Sequence, residues 1–325
     1  MRVLIFTEGG SKIGLGHISR CSSLYNELLN RNINVKFIVH GDFKTNIIVQ
    51  RQMLKTMDWQ CSDFLYNYIK KNDYCIIDSY RATENLYNLI SKRAKKSLFI
   101  DDNARIKYPK GIVVNPSLTS KNMQYLYNDC NFYLNGPEYI ILRKPFIKVK
   151  RAIINSEVKE VLITLGGSNT QNILDSILNQ LCNKYLNIKF NVIIGSASRS
   201  FDKMAYSNNI KFYKDLDAEE MKNIMLKSDI AITAAGQTIY ELLATQTPFI
   251  PIKIVDNQSN NIEGLLEFKL VETIVDYRKK YFIEILENEF QKLLVLCKRK
   301  QSINLYQNII DGLGSRRIID KLISE

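Results

Sequence analysis

The sequence predicts an α/β chain made of two doubly wound halves, each a parallel sheet with helices on both faces. Three observations carry that reading. Short apolar runs alternate with segments of helical period, first over residues 3–114 and again over 158–324. In both series a glycine-bearing turn follows a strand directly and opens a helix. Between the series, residues 134–150 hold Gly136-Pro137 and Arg143-Lys144-Pro145 without a long helical pattern, as a connection does. At 325 residues the chain is long enough for two ordinary domains, and the division is expected to give domains 1–148 and 149–325.

Taken in order, strands are predicted in the first half at Val3–Phe6, Val35–Val39, Tyr74–Ile77, Ser97–Ile100 and Ile112–Val114. Helices are predicted around His17–Leu29, Thr45–Met57, Asp63–Lys70 and Ala82–Ala94. In the second half the strands are Val158–Thr164, Phe190–Ile194, Ile210–Tyr213, Ile230–Thr233, Pro248–Ile252 and Leu270–Ile274. Its helices are Gln171–Lys184, Ala218–Leu226, Gln237–Ala244, Asn257–Phe268 and Phe282–Leu296, with a last helical segment at Ser315–Ser324. No low-complexity linker and no short-period repeat interrupts either half.

Composition narrows the function classes. Hydrophobic residues make up 46% and charged residues 24%, the balance of a soluble globular protein. No signal-peptide pattern and no run of about 18 apolar residues occurs, so neither export nor stable membrane insertion is expected. The six cysteines are scattered without a Cys-x-x-Cys pair, and His17 and His40 are the only histidines. A zinc site is therefore not expected, and reduced thiols in the cytoplasm are. The net charge of +12 suits an anionic partner, or follows from a Lys-, Asn- and Ile-rich composition. Its basic runs fall at helix ends, where cations complement the dipole. No nucleic-acid-binding motif is present, so no nucleic-acid partner is expected.

The chemistry concentrates on Ile13-Gly14-Leu15-Gly16-His17-Ile18-Ser19-Arg20, between an apolar strand and a helix. The glycines allow a tight turn and close approach of a ligand. The first helical amides favour an anion, and a histidine at this junction suits acid–base work near neutral pH. The dinucleotide fingerprint is incomplete: Ser19 stands where a third Gly or Ala is required, and the second strand ends without an acidic residue. No nicotinamide, flavin or other cofactor is expected. Asp78, at another strand end, could orient His17 or cap the next helix, and Tyr80 could donate to a sugar or phosphate. Asp101-Asp102 reads as a cap and turn or, with less support, as a divalent-metal pair.

The second half repeats the logic. Gly166-Gly167-Ser168-Asn169-Thr170-Gln171-Asn172 offers bare backbone with hydroxyl and amide donors, and lacks the Gly-Lys-Ser/Thr ending of a P-loop. Ala235-Gly236 lets a diphosphate approach a helix start, and Glu241 lies one turn further in, where a carboxylate could take both ribose hydroxyls. Asp256-Asn257-Gln258-Ser259-Asn260-Asn261 follows the strand Pro248–Ile252 as an amide-rich loop suited to sugar or base edges, or to helix capping. Several such signals at corresponding strand ends describe a ligand cleft.

Together these residues resemble the GT-B architecture, two Rossmann-like domains facing each other across a cleft. Within it the chain resembles the nucleotide-sugar hydrolases of the pseudaminic acid pathway, which are similar to MurG-type glycosyltransferases but hand the sugar to water. The likeness runs from Met1 to about Ile274. It rests on Gly14-x-Gly16-His17-x-x-Arg20, Asp78-Ser79-Tyr80, Asp101-Asp102, Gly166-Gly167-Ser168 with Asn172, Ala235-Gly236 with Glu241, and Asn257-Gln258. The resemblance implies metal-independent cleavage of a UDP-linked 2,4-diacetamido-2,4,6-trideoxy sugar. It casts His17 as the base that activates water. Gly14, Gly16, Arg20, Asp78, Tyr80, Gly167, Ser168, Asn172, Ala235, Gly236, Glu241, Asn257 and Gln258 become substrate-binding residues, with Glu241 on the uridine ribose. The family's Asp-His-Tyr stretch is departed from at Ser79, so a second-histidine role is lost. A transferase acting on a cell-envelope acceptor and a non-catalytic nucleotide-sugar binder are the alternative functions. Residues 146–151 form a short apolar and basic stretch that a membrane-facing transferase could use. Oligomeric state is left open.

Overall fold

The computed structural model describes residues 1–10, 14–41, 54–119, 125, 129–151, 153–166, 170–195 and 206–324. The chain forms two compact units. In the first, β1 (Arg2–Glu8), α1 (Gly16–Asn30), β2 (Asn34–His40), β3 (Leu54–Thr56), α2 (Ser62–Tyr68) and β4 (Asp73–Asp78) are followed by α3 (Glu84–Arg93), β5 (Lys96–Ile100), β6 (Gly111–Asn115) and β7 (Asn131–Asn135). The seven strands run parallel in the order β3-β2-β1-β4-β5-β6-β7. The order reverses between β1 and β4, where sheets of this kind bind ligands at the carboxyl ends of the strands.

The sequence of β1 explains its central place. Six of its seven residues are fully buried on alternating faces. Val3 and Ile5 enter one core with Ile18, Cys21, Leu24, Tyr25 and Leu28, which recur every three or four residues along α1. Leu4 and Phe6 enter the opposite core with Trp59, Leu65, Tyr87 and Ile90 from the α2 and α3 side. β4 repeats the alternation, with Tyr74 and Ile76 in the first core and Cys75 and Ile77 in the second.

The second unit holds β8 (Glu160–Thr164), α4 (Gln171–Gln180), β9 (Lys189–Ile194), β10 (Ile210–Lys214), α5 (Ala218–Lys227), β11 (Ile230–Ala234), α6 (Thr238–Ala244), β12 (Phe249–Lys253), α7 (Ser259–Glu267), β13 (Val275–Asp276), α8 (Phe282–Leu294) and α9 (Leu296–Tyr306). Its sheet is also parallel, in the order β10-β9-β8-β11-β12-β13, and reverses between β8 and β11.

Four expectations need correction. The helix expected over Thr45–Met57 is contradicted at Leu54–Thr56, which is strand β3 paired with Phe37–Val39; residues 45–53 lie outside the described residues. The strand expected at Leu270–Ile274 is displaced to Val275–Asp276, because the Leu270 amide closes the end of α7 on the Leu265 carbonyl. Strand β7 and helix α9 were not anticipated at all.

The fourth correction concerns the domains. The units divide after Arg143 rather than after residue 148, and the segment Gly312–Glu325 belongs to the first unit. Helix α10 (Gly314–Ile323) buries Ile318, Ile319 and Leu322 in the core shared with α1. Arg31 clamps it through Asp320 at 2.6 Å, and Lys96 bonds the Ser324 carbonyl. The helix begins so close to the backbone of Ile140 that a Cβ on Gly314 would lie 2.2 Å from the Ile140 oxygen. Glycine is required there by packing.

Candidate active site

The first unit gathers a cluster of buried charged side chains where the strand order reverses. The turn after β1 closes on itself: Gly10 and Gly14 exchange backbone hydrogen bonds of 3.0 and 2.8 Å. Gly14 has φ +82°, a conformation that favours glycine. Helix α1 then starts at Gly16 with no side-chain cap and no acidic residue in its first turn. Its leading amides therefore have no capping side chain, and the positive end of the dipole faces the same rim.

His17 sits in that first turn, 6% exposed. Its Nδ1 lies 2.7 Å from Oδ1 of Asp78, the last residue of β4, whose exposure is 0%. Arg20, one turn along α1, grips the same carboxylate with Nε and Nη2, each at 2.7 Å. Its Nη1 reaches Asp102 Oδ2 at 2.9 Å, so one guanidinium bridges two strand ends. The Tyr80 hydroxyl donates to Asp102 Oδ1 at 2.5 Å, and its ring meets the His17 ring edge-on with centroids 4.5 Å apart.

The electrostatics follow from this pairing. Burial works against an ionised Asp78, but Arg20 and His17 more than reverse it and hold the carboxyl well below the usual carboxylate range. Burial likewise opposes the charge on Arg20, and Asp78 and Asp102 overcome it, so its pKa lies well above the ordinary value. Burial, then the neighbouring Asp102, push the Tyr80 hydroxyl upward and keep it neutral. A proton on His17 Nδ1 can be donated to Asp78 Oδ1, an arrangement that puts the lone pair on Nε2.

Beside this cluster lies a second buried carboxylate, Glu8, at the end of β1 with 0% exposure. It accepts from Ser79 Oγ at 2.6 Å, from the Tyr80 amide at 2.8 Å and from Gln60 Nε2 at 2.9 Å. The loop carrying Tyr80 is thus tied to β1. Asp101 is held apart from Asp102: it accepts the amides of Asn103 and Ala104, and burial raises its carboxyl. Among the described residues no group of three His, Cys, Asp or Glu side chains could hold a metal. All six cysteines are free thiols, with Cys21, Cys75 and Cys182 buried.

In the second unit the described residues of the corresponding rim include fewer buried charged side chains. Gly166 follows β8 with φ +85°, and Gly167 and Ser168 lie outside the described residues. Asn172 is exposed in the first turn of α4. Ala235 is buried after β11, and a Cβ built on Gly236 would meet nothing within 4 Å. The same holds for Gly16 in the first unit. Neither position has the positive φ that favours glycine, so neither backbone nor neighbours demand the residue. Glu241 is buried in α6. Asn257 is exposed, whereas Gln258 turns its oxygen back on the amides of Ile254 and Val255 at 2.8 and 3.3 Å.

The structure therefore joins Gly14, Gly16, His17, Arg20, Asp78 and Tyr80 in one cluster, and spreads Asn172, Ala235, Gly236, Glu241, Asn257 and Gln258 over three strand ends. Of the two readings of Asp78, it orients His17; the N-cap of α3 is Thr83. Three participants take roles that the sequence does not disclose. Glu8 stood just past the apolar run that marked β1. Asp102 was read with Asp101 as a turn or metal pair. Asn261, one turn beyond Asn257, donates to the Ala235 carbonyl at 2.9 Å and accepts from Tyr240, tying α7 to the turn that carries Gly236. The basic stretch at residues 146–151 ends in Arg151, which donates to the carbonyls of Met225 and Ser228 and to Thr247 Oγ1; burial pulls its pKa down to about 10.

Comparison with known proteins places this geometry. Residues 161–304 match the glycosyltransferase family 28 C-terminal domain. The whole chain superposes on MurG of Acinetobacter baumannii with a TM-score of 0.66 at 12% identity, covering 99% of this chain and 98% of that one. The chain has the GT-B fold. It is 33% identical over 263 residues to a Helicobacter pylori protein named pseudaminic acid cytidylyltransferase and UDP-2,4-diacetamido-2,4,6-trideoxy-beta-L-altropyranose hydrolase. That match covers 79% of this chain and 46% of the relative. It is 31% identical over 307 residues to a protein of Methanocaldococcus jannaschii, covering 87% of this chain and 62% of that protein. These two relatives are substantially longer than the part the chain spans. The spore coat polysaccharide biosynthesis protein SpsG of Bacillus subtilis is 26% identical over 337 residues, covering 98% and 96%.

Proposed function

We propose that this GT-B protein is a cytoplasmic, metal-independent nucleotide-sugar hydrolase that releases UDP and a 2,4-diacetamido-2,4,6-trideoxyhexose in nonulosonic acid biosynthesis of the pseudaminic type. The observation that carries the reading is the His17 Nδ1–Asp78 contact of 2.7 Å, with Asp78 itself gripped by Arg20. In this reading the carboxylate fixes the tautomer, and Nε2 takes a proton from water as the water oxygen bonds the anomeric carbon. The bond from that carbon to the UDP oxygen breaks, and UDP leaves with the electron pair. Departing negative charge is met by helix N-termini rather than by a metal. Gly14 and Gly16 admit the substrate to the start of α1, and Arg20 and Asp78 act by positioning. In the second unit Gly167, Ser168, Asn172, Ala235 and Gly236 receive the diphosphate, Glu241 the uridine ribose and Asn257 a polar edge. The substrate follows the name of the Helicobacter pylori relative.

The family 28 match favours a second reading, transfer of the sugar to an acceptor. One experiment separates them. The purified chain is incubated with UDP-2,4-diacetamido-2,4,6-trideoxy-L-altrose and a chelator, without acceptor, and UDP is followed beside a His17→Gln variant. Hydrolysis predicts multiple turnovers, lost at least about 100-fold in the variant. UDP binding without release overturns the hydrolase and leaves the transferase or the non-catalytic binder.

A further inference from the structure

The Tyr80 hydroxyl has one proton, and the structure shows where it goes. Its partner is Asp102 Oδ1 at 2.5 Å. Asp102 cannot reciprocate, because an ionised carboxylate only accepts. It is held in place by Arg20 Nη1 on Oδ2 at 2.9 Å and by Asn103 Nδ2 on Oδ1 at 3.0 Å. Arg20 in turn cannot swing away, since Nε and Nη2 are locked on buried Asp78. The backbone of Tyr80 is fixed separately, through its amide on Glu8. Among the described residues no group donates to the Tyr80 oxygen. That oxygen is left with lone pairs and no proton to offer, 4.5 Å ring-to-ring from the histidine.

We infer that Tyr80 reads the ligand as a hydrogen-bond acceptor, so that it selects a sugar substituent carrying a donor, and that Asp102 is the positioning residue that sets this polarity. The inference rests on the nucleotide-sugar reading above and sharpens it. An acylamino N–H satisfies the Tyr80 oxygen. An ester oxygen of the same shape sets lone pair against lone pair. The acetamido groups of the proposed substrate supply such donors. The sequence alone suggested the opposite polarity, with Tyr80 donating to a sugar or phosphate.

The test uses the full chain with the UDP-diacetamido sugar and two analogues, each with one acetamido group replaced by an acetate ester. Dissociation constants are measured on the His17→Gln background, and UDP release on wild type. The inference expects one ester analogue to bind about 10- to 100-fold more weakly than the parent, the range for one unpaired buried acceptor. Tyr80→Phe should collapse that ratio to within about threefold. Asp102→Asn should collapse or reverse it, because an amide nitrogen can donate to the Tyr80 oxygen and free its proton for the ligand. Should Asp102→Asn fail to fold, Tyr80→Phe still decides. UDP release with equal binding of all three sugars overturns the inference and leaves the hydrolase standing. A preserved binding ratio without UDP release does the reverse. Failure of all three to bind overturns both.

Discussion

Where the strand order reverses in the first sheet, a histidine, an arginine, a tyrosine and two aspartates are locked together by bonds of 2.5 to 2.9 Å. Where it reverses in the second, the described residues of the turns are Gly166, Ala235 and Gly236, with an exposed asparagine and one buried glutamate nearby. The two sheets share a topology, so the difference lies in what the loops carry. One rim stores preorganised charge, which fits a place where bonds change. The other offers open backbone, which fits a place that only holds. Fold supplies the shelf, and the residues at its edge decide its use.

The comparison is broken most severely at Asp78. Asp78→Asn removes the counter-charge of buried Arg20 and the partner of His17, and should cost about 3–5 kcal/mol in urea unfolding as well as turnover. Glu241→Gln in the second unit should cost far less stability. A small effect at Asp78 would mean that the first rim does not store charge as described.

The next largest effect should come from glycine. Gly236→Ala meets nothing within 4 Å and needs no unusual φ, so stability should stay within about 0.5 kcal/mol. UDP affinity should nevertheless fall about tenfold by calorimetry, since the methyl group intrudes on a ligand. Gly166→Ala, at φ +85°, should instead cost about 1 kcal/mol of stability. Unchanged UDP affinity in Gly236→Ala would remove the second rim from nucleotide binding.

Acid should separate the units more gently. The Asp78 carboxyl is depressed in the folded state, so the stability it confers is complete above the ordinary carboxylate range. It is lost as pH falls below about 4 toward the lowered folded value. Asp73, paired with Arg2, adds to this, while the raised carboxyl of Asp101 works in the opposite sense and softens it. Unfolding followed by hydrogen exchange at pH 7 and pH 3 should show the first unit losing more protection than the second. Equal losses would count against the charge network. Smallest of all, Gln258→Ala should cost about 1 kcal/mol through its lost turn and leave UDP affinity near wild type. A selective loss of affinity would return Gln258 to the ligand.

Much of this was legible in the sequence, and the gaps have physical causes. Central strands such as β1 and β4 announce themselves because both faces are buried and the runs are apolar throughout. Edge strands do not. In β7 only Leu134 is buried, and β3 has three residues that take their conformation from pairing with β2. Helix α9 hides because its inward face is Arg299, Ile303 and Tyr306. Arg299 is 1% exposed and spends its guanidinium on four carbonyls, those of Leu293, Leu294, Asn155 and Ser156, so a polar residue occupies a core position. In the site, the glycine turns, His17, Arg20 and Asp78 could be read as types in position. That Arg20 and Asp102 serve other side chains could not, because their partners are 58 and 82 residues away in the chain.

The return of α10 to the first unit also orders events in time. A ribosome makes β1 to β7 first, yet the face of α1 that receives Ile318, Ile319 and Leu322 stays uncovered until all of the second unit has been made. Of the two units, the one begun first is thus the one finished last. During synthesis its apolar seam waits on a segment encoded beyond the second unit, which is the interval in which a chaperone would find it.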